Sequence, residues 1–99
     1  MRGSHQADAQ AFAELAGVLA AIGEPGEMRQ FVRELLTPGE IRDITLRWKL
    51  LGLLADGVPQ RRIAEDLQVS LCKITRGSRI MKQKGAVSAR VLRERRTGG

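Results

Sequence analysis

The stretch VSLCKITRGSRIMK, residues 69–82, reads as a helix with a fault in it. Val69, Leu71, Ile74, Ile80 and Met81 offer apolar faces at helical spacing, Ser70 stands where an N-cap would, and Lys73, Arg76, Arg79 and Lys82 crowd another side. Gly77 interrupts this pattern. A helix-interior glycine costs about 1 kcal/mol against alanine, so it needs a compensating reason. Two are open: close packing of this helix on another, or space for a ligand beside it.

Upstream, PQRRIAEDL (59–67) is predicted to be a short helix opened by Pro59 at its first position. QVS (68–70) is a tight turn, and two short helices so joined make a helix-turn-helix. Small Ala64 stands where the pair would cross most closely, with Ile63, Leu67, Val69 and Ile74 inward. An ordinary helical hairpin would use the same spacing. Charge separates the two readings: Gln60, Arg61 and Arg62 head the first helix, and Lys73, Arg76 and Arg79 line the second, which points to DNA.

Further back, Thr37, Pro38 and Glu40 compose a capping box with proline at N1. The helix it opens runs to about residue 56. Ile41, Ile44, Trp48, Leu51 and Ala55 form one apolar stripe, and Leu46, Leu50, Leu53 and Leu54 widen it beyond what a surface helix needs. Such a helix is expected to lie between two sets of partners, one of them a second copy of the chain. Arg47, flanked by Leu46 and Trp48, reads on composition alone as a snorkelling surface cation. Two earlier helices are predicted at residues 27–36 (Met28, Phe31, Val32 and Leu35 inward) and 6–22 (Phe12, Leu15, Val18, Leu19, Ile22), separated by GEPG.

No run alternates in the manner of a strand, so the expected fold is all-α, five to six short helices with a helix-turn-helix. Residues 1–5, MRGSH, resemble the remains of an expression tag, and His5 is given no function. Residues 6–57 are expected to form a helical dimerisation core, 58–84 the DNA-reading head, and 85–99 a basic C-terminal helix or tail. Ninety-nine residues with three aromatics allow one small aliphatic core. Dimerisation would add to it.

The net charge of +6 hides a split. Residues 1–69 carry eight cations and ten anions, while residues 70–99 carry nine cations and only Glu94 as an anion. Salt-sensitive contact with phosphates is therefore expected at one end of the molecule. The lone Cys72 forms no internal disulfide and fits no metal-ligand spacing, as expected of a reducing cytoplasm. No apolar run approaches the ~20 residues of a membrane span. An enzyme is not expected, since no cluster of His, Cys and carboxylate and no phosphate-cradling glycine loop is present.

ITRGS (74–78) followed by Lys82, preceded by PQRRIAEDLQVS and by LLTPGE (35–40) with an arginine ten residues after Thr37, resembles the tryptophan repressor family over about residues 28–84. That resemblance implies an intertwined homodimer whose two heads enter successive major grooves of a palindromic operator in double-stranded DNA, as helix-turn-helix dimers do, this family among them. It also implies L-tryptophan as a regulatory corepressor, with no other cofactor. The indole would lie between Arg47 and Arg76, because guanidinium planes stack on aromatic faces. Arg76 would also pair with the ligand carboxylate. The ligand ammonium would be held by the main-chain carbonyls of Glu34 and Leu36 and by the Thr37 side chain, at a helix end whose partial negative charge suits a cation. Gly77 would lie beside the indole. The chain departs from the family pattern at Ile80, where a serine is usual near the ammonium, at Lys73 for a threonine, at Arg79 for an asparagine, and in a shorter link between Gly57 and Gln60.

The expected function is a sequence-specific DNA-binding transcription repressor gated by L-tryptophan, acting on tryptophan biosynthesis or uptake genes. Gln60, Arg61, Leu71, Cys72, Lys73 and Thr75 are expected to read bases, Arg61 by its bidentate fork to guanine. Ser78, Arg79 and Lys82 are expected to hold phosphates. One alternative keeps the DNA binding and makes the regulator constitutive or responsive to a different small ligand. Another makes the chain a helical interaction module whose basic end meets an acidic protein.

Overall fold

The computed structural model describes residues 4–98, with side chains for residues 8–95, as six α-helices and, among the described residues, no strand. The all-α expectation holds. The side chains of the MRGSH start fall outside the described residues. By its packing the chain divides into two compact units, Met1–Ile41 and Arg42–Gly99.

In the first unit, α1 (Ser4–Ala21) is followed by α2 (Pro25–Leu35). The helix α2 starts two residues ahead of the expected position 27. Glu24 caps it, its Oε1 accepting the Glu27 N–H at 2.8 Å, and Pro25 takes the first turn, where a missing N–H is harmless. GEPG thus ends one helix and starts the next. Backbone N–H groups of Gly26 and then Glu27 hold the Glu24 carboxyl below its usual range. The helix closes as Leu36 turns extended and gives its N–H to the Val32 carbonyl. The capping box forms as expected: Thr37 N–H donates to Glu40 Oε1 at 2.9 Å, and Glu40 N–H donates to Thr37 Oγ1 at 3.1 Å.

That box opens α3 (Pro38–Ala55), which crosses into the second unit. Leu50 and Leu51 of α3 share one core with Ile63 of α4 (Gln60–Leu67), Ile74 of α5 (Leu71–Lys82) and Leu92 of α6 (Val87–Gly98). The later half of α3 belongs to the same compact unit as the helices that follow, and the units divide at residues 41 and 42.

Each connection in this unit has a local cause. Gly57, at φ 80°, ends α3: its N–H bonds the Leu54 carbonyl while Val58 N–H bonds that of Leu53, both at 3.0 Å, which is a Schellman motif. Pro59 caps α4 from outside rather than occupying its first turn. Gln68 closes α4 in the left-handed region, at φ 54°. Ser70 Oγ then accepts the Lys73 N–H at 3.3 Å and starts α5. The segment expected as a basic helix or tail from residue 85 is helical over Val87–Gly98, anchored by the fully buried Leu92. The Arg95 guanidinium lies 5.4 Å from the centre of the Trp48 ring, tying α6 to α3 through a cation–π contact.

Gly77 is where α5 meets the leucines of α3. A Cβ built there would stand 2.5 Å from Leu50 Cδ2, 3.2 Å from Leu54 Cδ1 and 3.4 Å from Leu51 Cδ2. Close helix packing therefore accounts for the glycine, since those leucines are themselves held in or against the core. Gly77→Ala should gain about 1 kcal/mol of helix propensity and lose about 2 kcal/mol to overpacking. Denaturant titration should show a net loss of about 1 kcal/mol, and a variant more stable than wild type would mean the crossing relaxes freely. The lowered Glu24 pKa predicts a pH effect at the other unit. Its carboxylate stabilises α2 fully above the ordinary carboxylate range, and that contribution disappears as pH falls through the lowered value. Amide protection factors at Gly26 and Glu27, taken relative to the intrinsic exchange rate at each pH, should fall in acid for wild type and be low throughout in Glu24→Ala.

Candidate ligand cleft and nucleic-acid interface

Helix α5 presents three strips to three surroundings. Ile74 and Gly77 are buried, with Met81 packed against the core. Lys73, Arg76, Gly77 and Ile80, spaced i, i+3, i+4 and i+7, face Leu46, Arg47 and Leu50 of α3 and Val69 of the turn across a cleft of ≈ 70 Å³. On the remaining side Leu71, Cys72, Thr75, Arg79 and Gln83 line a broad open groove. Arg76 and Ile80 border both the cleft and the groove. One short helix therefore forms the wall between them.

The chemistry of the two hollows differs. Leucine, valine and isoleucine make the cleft apolar, and its charged lining is Arg47, Lys73 and Arg76 without a carboxylate. A flat apolar body with an anionic head suits it. The outer groove is shallow and cationic, with a hydroxyl, a thiol and an exposed Leu71 (60% accessible) at its N-terminal end. Hydrogen-bonding groups beside an apolar contact on an exposed helix are what a major groove requires.

The structure brings Arg47, Arg76, Gly77 and Ile80 together in the cleft, as the sequence reading grouped them. Glu34, Leu36 and Thr37 belong to the other unit, at the end of α2 and the start of α3. Glu34 Oε2 accepts the Gln30 side-chain N–H at 3.0 Å, and the Thr37 hydroxyl serves the capping box. Among the expected DNA contacts, Leu71, Cys72, Thr75 and Arg79 share the outer groove, while Lys73 lines the cleft instead. Gln60 and Arg61 are exposed at the head of α4, Lys82 is exposed in the last turn of α5, and Ser78 is half-buried. Arg62 is tied to Asp66 at 3.6 Å, an exposed i,i+4 pair that leaves neighbouring Arg61 outside it.

Sequence reasoning missed Leu46, Leu50 and Val69 as cleft walls and Gln83 as part of the groove. The second apolar stripe of α3 was the available signal for the two leucines. Gln83 carried none. No described helix is long and apolar enough to cross a membrane.

Comparison with known proteins follows the same lines. A family model described as Trp repressor protein matches residues 10–96. The chain is similar to Trp operon repressor homologs from Actinobacillus succinogenes, 41% identical over 58 residues, and from Pasteurella multocida, 40% identical over 58 residues. Each match takes in 58% of this chain and 57% of the relative, so the shared stretch spans little more than half of those proteins. No solved structure matches.

Proposed function

The chain belongs to the Trp repressor family, and on that premise we propose that it is a transcription repressor that binds a palindromic double-stranded operator as a homodimer, with L-tryptophan as corepressor. Its targets on this reading are tryptophan biosynthesis or uptake genes, and it works in the cytoplasm. A single observation carries the proposal: Arg76 and Ile80 of α5 border the apolar cleft on one side and the outer groove on the other. A molecule filling the cleft would touch the helix that reads DNA.

In this mechanism the indole stacks between the guanidinium planes of Arg47 and Arg76, and the leucines of α3 exclude water from its edge. Arg76 takes the carboxylate. For the ammonium, only the family resemblance supplies a partner: it assigns the carbonyls of Glu34 and Leu36, where α2 ends and intrahelical partners run out. Thr37 adds its hydroxyl oxygen, which accepts one N–H from the cap and has a second lone pair. Gly77 keeps α5 close to α3 and leaves the cleft floor without a side chain.

On the DNA side, exposed Leu71 offers an apolar surface to a thymine methyl, with Cys72 and Thr75 beside it and Gln60 and Arg61 reading from the head of α4. Ser78, Arg79 and Lys82 fix register on phosphates. Dimerisation is supported by apolar side chains that the single chain leaves exposed, among them Phe12 at 71% and Ile44 at 51%. L-tryptophan then acts by differential affinity: it binds best when each head is held at the groove spacing, so part of its binding free energy becomes operator affinity.

Fluorescence anisotropy on a duplex selected from a palindromic pool tests this gating. Saturating L-tryptophan should tighten binding at least about tenfold, and Arg47→Ala should remove the gain while retaining basal affinity. Equal affinity with and without the amino acid would leave a constitutive regulator. In the same assay Arg79→Ala should lower the salt slope by about 1 for every sequence. Arg61→Ala should instead relax discrimination at one position, and a uniform loss across sequences would remove Arg61 from base reading.

A further inference from the structure

The cleft carries one cation more than the pair that would sandwich an aromatic ring. Lys73 lines it together with Arg47 and Arg76, whereas the outer groove is lined by Leu71, Cys72, Thr75 and Arg79 and does not include Lys73. Helical periodicity explains the placement, because residues 73, 76, 77 and 80 fall on one strip. The Lys73 backbone is also fixed, its N–H donated to Ser70 Oγ at 3.3 Å in the first turn of α5.

The cleft therefore combines apolar walls with positive charge that nothing in its own lining balances. A ligand that displaces water from such a place lowers the local dielectric and strengthens its interaction with all three side chains. A zwitterion brings no net charge: its carboxylate gains from this field, while its ammonium depends on acceptors outside the cleft lining. Each additional negative charge on the head group is instead favoured. Ile80 works in the same direction, adding no acceptor for an ammonium to the lining itself.

We propose that Lys73 is a ligand-specificity residue, which makes the cleft select flat aromatic amphiphiles with a dianionic head over the zwitterion bearing the same ring. This rests on the ligand-binding reading of the cleft and goes beyond it in naming the head-group charge that the cleft prefers and the residue that sets the preference. Lys73 is exposed at the cleft rim, so its substitution leaves the buried core untouched. Its ammonium acts as a point charge on the head group, while the two guanidinium planes serve the ring.

The test is calorimetric titration of the full chain with indoxyl 3-phosphate, L-tryptophan and tryptamine, in wild type, Lys73→Met and Lys73→Arg. Wild type should bind the phosphate about tenfold more tightly than L-tryptophan and tryptamine least of all, one charge-assisted contact being worth about that factor. Lys73→Met should bring the phosphate-to-tryptophan ratio close to one, and Lys73→Arg should keep most of it. If L-tryptophan binds and the ratio is the same in all three proteins, the assignment of Lys73 is overturned and the ligand reading of the cleft stands. If no indole compound binds any of them, both fall, and the DNA titrations remain to judge the reading heads separately.

Discussion

The packing of Gly77 against Leu50, Leu51 and Leu54 is the constraint on which the second unit depends. It brings α5 so close to α3 that a single methyl group would collide, and it does so beside Ile63, Ile74 and Leu92, which are fully buried. Beside this tight crossing the same two helices line the cleft, with Arg47 on α3 and Arg76 on α5. A bulkier residue at position 77 would displace α5, and the reading face would move with it. Close-packed interiors transmit such shifts rather than absorb them.

The caps act on a shorter scale toward the same end. Gly57, Gln68 and Ser70 each stop or start a helix within a few residues, so α4 and α5 meet at a defined angle with no long loop between them. Gln68 adopts a left-handed conformation that L residues usually avoid at a cost of about 1 kcal/mol. The buried contacts of Ile63 and Ile74 on either side of the turn offset that cost. On α5, the same element that completes the core exposes Leu71, Cys72, Thr75 and Arg79, which sets the groove's side chains on a backbone fixed by the core.

Features set by neighbours in the chain were legible in the sequence. The capping box at Thr37 and the cap at Ser70 depend on residues three apart, and both form as read. The start of α2 was not legible, because Pro25 and Gly26 look like helix breakers until Glu24 is seen to accept the Glu27 N–H. Lys73, expected among the base-reading residues, also shares by its spacing the strip of Arg76 and Ile80, so its place in the cleft lining was legible. The division of the chain inside α3 had no local signal, since it follows from which distant side chains Leu50 and Leu51 meet. Nor did the basic composition after residue 85 announce that Leu92 would be buried. The grouping of Arg47 with Arg76 came from the family resemblance alone, as residues 29 positions apart share no periodicity.

The central claim is that occupancy of the cleft is transmitted to the reading helix through the wall they share. Hydrogen–deuterium exchange across residues 60–82, with and without saturating L-tryptophan, tests it most directly and needs no operator. The account predicts slower exchange in α4 and α5 when the ligand is bound, and no change in Arg47→Ala. Bound ligand with unaltered exchange in those helices would contradict it, because a cleft that fills without steadying α5 has no means of controlling what α5 reads.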